Sequence, residues 1–149
     1  MKMMKRALAL LLCIVMVVGL VPATVFAADG GGISAQANDE PIYVLAGGDF
    51  NQVFEDAQGM YPVRDESYWQ PGMLKNSDLP AGFRCVYDAS VPTCRLLNEP
   101  YSGDRSKTQL YVIDGFIVSD NLHVNLVETV DLNFAHTDHQ PVFLQVTPE

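Results

Sequence analysis

The apolar positions of the chain follow two different patterns. Behind the cationic start supplied by Lys2, Lys5 and Arg6, an apolar run from Ala7 to about Val21 leads through Pro22 into the small-residue stretch Ala23-Thr24-Val25-Phe26-Ala27-Ala28. Charge, apolar run and small residues in that order predict a secretory signal peptide over residues 1–27, cleaved most simply after Ala27. The run is at the short end of the ~20 apolar residues that a spanning helix needs, so no stable membrane anchor is expected. Cys13 lies inside the run between Leu12 and Ile14, without the small neighbours of a lipidated cysteine, and would leave with the signal. Residues 28–40, with Gly30-Gly31-Gly32, read as a flexible linker.

From Pro41 onward the apolar positions come in short extended runs separated by turn residues. Ile42-Tyr43-Val44-Leu45-Ala46 predicts a buried strand that stops at Gly47-Gly48, and residues 52–58 a weakly helical or irregular stretch. Pro62, Pro71 and Pro80 make residues 59–82 a long loop. Its aromatics Tyr61, Tyr68 and Trp69 are better suited to pinning the loop than to holding a substrate. Further strands are predicted over Phe83–Tyr87, with Thr93–Leu97 as its returning partner, and over Leu110–Val118, His123–Leu132 and Pro141–Thr147. There is no long amphipathic helix, internal repeat or heptad pattern, so residues 41–149 suffice for one small β-rich domain.

Charge narrows the choice of partner. The whole sequence carries 9 Lys+Arg and 18 Asp+Glu. Cleavage after Ala27 removes three cations and no acid, taking the net charge from −9 to −12. Such a surface disfavours sequence-independent binding of bulk nucleic acid, which depends on Lys and Arg contacts to phosphates. A phosphate-bearing substrate would need a divalent cation between itself and the protein. Cys85 and Cys94 survive cleavage, and their spacing leaves both a disulfide and a pair of free thiols open.

Three acidic positions and a histidine stand out. Asp49 and Asn51 follow the first strand, where turn residues are common. Asp114 interrupts the otherwise apolar Tyr111-Val112-Ile113-Asp114-Gly115-Phe116-Ile117-Val118, and a buried acid there needs a partner. His139, in the Asp138-His139 pair just before the last strand, is the natural one. A carboxylate that accepts from one imidazole nitrogen fixes the ring and leaves the other nitrogen to act on a substrate or stabilise charge. Arg95, His123 and His136 read more simply as solvated side chains.

Gly48-Asp49-Phe50-Asn51, the later Ile113-Asp114-Gly115-Phe116-Ile117-Val118-Ser119 and the closing Thr137-Asp138-His139-Gln140-Pro141-Val142 resemble, in order, three motifs of the endonuclease/exonuclease/phosphatase superfamily, which includes deoxyribonuclease I. The resemblance runs from about Ile42 to the C-terminus. It implies an α+β fold, a four-layer α/β/β/α sandwich represented here by its C-terminal, β-rich half. It also implies a phosphoester hydrolase dependent on Mg (or Mn), here incomplete and, by its signal peptide, secreted. In that scheme Asp49 positions or activates the attacking water, Asn51 contacts the scissile phosphate, and Asp114 orients His139 toward it. Asp138 and Asp49 would be the metal-proximal acids. Thr137 stands in place of the usual Ser, and Gly115 in place of a common aromatic. The family's first half, with an Asn, a metal-binding Glu and a further His, has no counterpart among the residues before Asp49. A complementary half-domain or a homodimer is therefore the expected partner, and the alternative is a catalytically silent half or an exported β-rich binding module.

Overall fold

The computed structural model describes residues 41–149; the expected signal peptide and linker lie outside the described residues. In chain order the strands are β1 (Leu45–Asp49), β2 (Gln52–Phe54), β3 (Gly72–Leu74), β4 (Phe83–Val86), β5 (Cys94–Arg95), β6 (Leu110–Tyr111), β7 (Asp114–Ser119), β8 (Leu122–Thr129) and β9 (Val142–Pro148). Helical structure among the described residues is confined to three single 3-10 turns, and none of it is long and apolar enough to cross a membrane.

β7 organises the molecule. It pairs antiparallel with β1 on one side and β4 on the other. Alternation along β7 turns Phe116 and Val118 to one face and Gly115 and Ile117 to the other. On the first face, Val118, Val86 and Leu122 form a buried cluster, closed by Phe116 and by Val124, Val127, Leu144 and Val146 of the antiparallel β8–β9 hairpin. On the second face, Phe54, Ala57 and Val112 form another cluster. There Phe54 stacks on Tyr87, with ring centroids 4.2 Å apart and an interplanar angle of 7°.

Several elements differ from the sequence expectation. The first strand does not stop at the glycines but runs through them to Asp49, because Gly47 leaves room for the Phe116 ring across the ladder. It is also exposed rather than buried. Among the described residues β1 is an edge strand whose only partner is β7, and Ile42 just before it is 74% exposed. The run Leu110–Val118 is two strands, β6 and β7, broken at Val112–Ile113 where the Ile113 carbonyl turns to accept from Phe50 N at 2.9 Å. Residues 83–87 and 93–97 do not form a hairpin: β4 joins β7, while β5 joins β6. Cys85 and Cys94 thus sit in different sheets, and both are free thiols. The weakly helical segment after Asn51 is β2 followed by one 3-10 turn, and the long loop contributes β3, which lies parallel to β2. That loop is held by the Tyr111 hydroxyl, which donates to Trp69 O at 2.7 Å while the Trp69 ring packs edge-on against Tyr111. Burial pushes the Tyr111 phenol up to about 12.

Gly115, where an aromatic is common in the resembled motif, has a local explanation. A Cβ there would lie 2.8 Å from Phe54 Cζ and 3.0 Å from Tyr87 Cβ, so the stacked pair already fills the space. Gly115→Ala is expected to destabilise the fold by about 1–3 kcal/mol through overpacking. Urea unfolding measures this, and an unchanged midpoint would mean that the Phe54–Tyr87 stack can move aside.

Candidate active site

The site begins with strand register. Asp49, the last residue of β1, is the direct cross-strand partner of Asp114, the first residue of β7. Residues directly opposite in an antiparallel ladder share a face, and like charges so placed repel. Asp49 Oδ1 accepts from Asn51 N at 2.7 Å in a tight turn that holds Asn51 at φ 52, a left-handed conformation that asparagine tolerates. This leaves Asp49 Oδ2 directed toward the third member, His139.

His139 arrives from the loop before β9, and that loop is built to a fixed shape. Gln140 is 3% exposed, and its side-chain Oε1 accepts from Leu132 N at 2.9 Å and Phe134 N at 3.4 Å. Its Nε2 donates to Asp131 Oδ1 at 2.9 Å, and the same oxygen accepts from Arg105. Asn133 and Phe134 are held at φ 47 and 53, with Phe134 buried against Tyr101 and beneath the Arg105 guanidinium. The segment then runs alongside β5. Cys94 and His139 form an antiparallel bridge, Arg95 N donates to Asp138 O at 2.9 Å, and Gln140 N donates to Thr93 O at 2.7 Å.

Within this frame His139 Nδ1 donates to both Asp114 oxygens, at 3.0 and 2.9 Å. Its Nε2 is 3.5 Å from Cys94 Sγ and 3.9 Å from Asp49 Oδ2. The Asp114 hydrogen bond first, and the Cys94 contact second, push the imidazole up from 6.5 to about 11 against the opposing effect of burial. At neutral pH the ring is therefore an imidazolium, and a charge donor rather than a base. Burial raises the Cys94 thiol above its ordinary value, so the sulfur beside Nε2 is a neutral acceptor. The three charged side chains remain partly open to solvent, at 24% for Asp49, 14% for Asp114 and 31% for His139.

Of the five candidate residues, the fold brings Asp49, Asp114 and His139 together. Asn51 reaches the group through its backbone, and its side-chain amide takes no part in the turn. The Asp138 carboxylate accepts from the Thr137 hydroxyl at 3.2 Å, and Thr137 Oγ1 in turn accepts from His139 N at 3.3 Å. For the expected Mg (or Mn) ligands Asp49 and Asp138, the donor type fits: both offer carboxylate oxygens, as hard cations require. Among the described residues, however, no group of three or more His, Cys, Asp or Glu side chains is disposed to hold a metal ion. Cys94 was foreseeable only as a disulfide candidate. Its contact with His139 spans 45 positions and leaves no mark in local sequence. No family model, curated protein or solved structure matches this chain.

The raised imidazole contributes to the loss of stability at alkaline pH, as do the buried Cys94 thiol and Tyr111 phenol, whose ionisation burial disfavours. Because folding lifts His139 from 6.5 to about 11, its contribution is complete below about pH 6.5 and is lost as pH rises toward about 11. At the acid end, burial raises the Asp88 carboxyl, but hydrogen bonds from Thr129 and Ser90 outweigh it and hold the group below 3.8. Its contribution is lost as pH falls through that region. Thermal melts across pH should therefore show greatest stability between about 4 and 6.5, with a decline on the alkaline side that Asp114→Asn flattens. An NMR titration of the same variant should place the His139 ring far below 11 and closer to 6.5. A ring still titrating near its wild-type value would show that Asp114 is not the group holding the proton.

Proposed function

We propose that residues 41–149 are the C-terminal, β-rich half of a four-layer α/β/β/α sandwich of the endonuclease/exonuclease/phosphatase type, and carry part of a metal-dependent phosphoester hydrolase site. The observation that carries this reading is the convergence of Asp49 and Asp114, each from its own motif, on the imidazole of His139. In this reading the charged His139 offers its Nε2–H to a phosphoryl oxygen, where negative charge grows during P–O cleavage. Asp114 keeps the ring charged and aimed. Asp49, with Oδ1 committed to the turn and Oδ2 3.9 Å from His139 Nε2, positions the attacking water, and the Asn51 amide is the polar donor beside it. Bound Mg (or Mn) would offset phosphate charge and lower the pKa of a coordinated water. Asp49 and Asp138 would hold it together with ligands from the substrate and a partner segment. The strongly acidic mature surface favours small phosphoesters or phospholipid headgroups over bulk nucleic acid, and the N-terminal pattern favours a secreted protein.

The second reading is a catalytically silent half or an exported binding module. Specific observations favour it: Ile42, Leu126, Leu132 and Phe143 are 41–74% exposed, and no third metal ligand joins the site among the described residues. The exposed apolar side chains fit a binding surface, and the absent third ligand fits a half without catalysis.

Hydrolysis of bis(p-nitrophenyl) phosphate separates the two. Under the first reading, turnover requires Mg or Mn and stops with chelator. It also falls about 100-fold or more in Asp49→Ala and in His139→Ala. Turnover indifferent to metal and to both substitutions would end the hydrolase assignment at this site. No turnover with either metal would favour the silent half.

A further inference from the structure

The Asp114–His139 pair has to be aimed from two directions, since Asp114 opens a strand and His139 ends a loop. One residue outside all three motifs touches both supports. Thr93 is completely buried, immediately before β5. Its backbone N donates to Tyr111 O at 2.9 Å, and its backbone O accepts from Gln140 N at 2.7 Å, next to His139. Its hydroxyl Oγ1 accepts from Ile113 N at 3.0 Å and from Asp114 N at 3.1 Å. These are the two amides presented where the chain breaks between β6 and β7. A buried N–H without an acceptor is costly, so one oxygen that satisfies two of them fixes the geometry of the break.

We propose that Thr93 is the positioning residue of this site. Its hydroxyl stands in for the missing strand ladder at Ile113–Asp114, so that the Asp114 carboxylate meets His139 Nδ1, while its carbonyl holds the His139 segment in register. Valine has nearly the same shape but no acceptor, and would leave both amides without a partner. Serine keeps the acceptor and loses only a methyl group. The assignment depends on the Asp114–His139 contact rather than on hydrolysis, and it goes beyond the proposed function in naming what aims that contact.

The test uses two NMR readouts on the full chain, neither of which requires activity. The first is hydrogen exchange of the Ile113 and Asp114 amides, compared with amides of the β8–β9 hairpin as an internal reference. The second is the downfield resonance of the hydrogen-bonded His139 Nδ1–H, assigned by its disappearance in Asp114→Asn. In wild type both amides should be protected and the resonance visible. In Thr93→Val the two amides should exchange about tenfold faster relative to the hairpin, and the resonance should vanish, while Thr93→Ser restores both. If valine prevents folding, Thr93→Ala removes the same acceptor with less bulk. Unprotected amides in wild type, a retained resonance in folded Thr93→Val or Thr93→Ala, or its loss in folded Thr93→Ser would each overturn the assignment. A silent phosphodiesterase assay with these NMR results intact would count against the hydrolase reading alone.

Discussion

Two carboxylates directly opposite each other in an antiparallel ladder are an unstable arrangement unless a cation reaches them. Asp49 and Asp114 occupy such a register, and the His139 imidazolium supplies the charge. Much of the surrounding architecture follows from delivering one ring to one place. β1 must end where β7 begins, the segment before β9 must lie alongside β5, and Gln140 must lock the turn that precedes it. The Cys94 sulfur on Nε2 is a weaker acceptor than a carboxylate, and leaves that side of the ring available to a stronger one.

The packing serves the same end. β7 is covered on both faces, by the β8–β9 hairpin on one and by the Phe54–Tyr87 stack on the other. Burial on two sides makes its position rigid, so its first residue is held on a framework and not on a loop. The glycines of the two paired strands are part of this arrangement. Gly47 admits the Phe116 ring and Gly115 admits Phe54, and each absent side chain lets an aromatic close over the ladder next to the charged group.

The buried polar side chains of Thr93, Gln109, Thr129 and Gln140 are hydrogen-bonded, whereas among the described residues the buried Nε atoms of Arg95 and Arg105 have no partner. Large apolar side chains stay in solvent at several places: before and in β1, on β8 and β9, in the 59–82 loop and at Leu97 after β5.

The linear sequence determined a good deal by itself. Period-2 alternation over residues 83–87 and 123–132 and the apolar run before the C-terminus located β4, β8 and β9 to within a few residues, because a strand's inward and outward positions are local information. An aspartate inside an apolar run demanded a partner, and His139 before the last strand was the candidate for it. The sequence could not say that the run ending at Ala46 continues through two glycines, that residues 110–118 break in the middle, or that residues 83–87 and 93–97 belong to different sheets. Each of these depends on which distant chain lies alongside: Phe116 against Gly47, Phe50 against Ile113, and β7 against β4. Thr93, Cys94 and Gln140 became parts of the site for the same reason. A hydroxyl, a thiol and an amide gain their roles here from neighbours 20 or more positions away for the first two, and for Gln140 from both a nearby turn and Thr93. Residue type sets what a group is able to do, and tertiary contact alone decides which partner it finds.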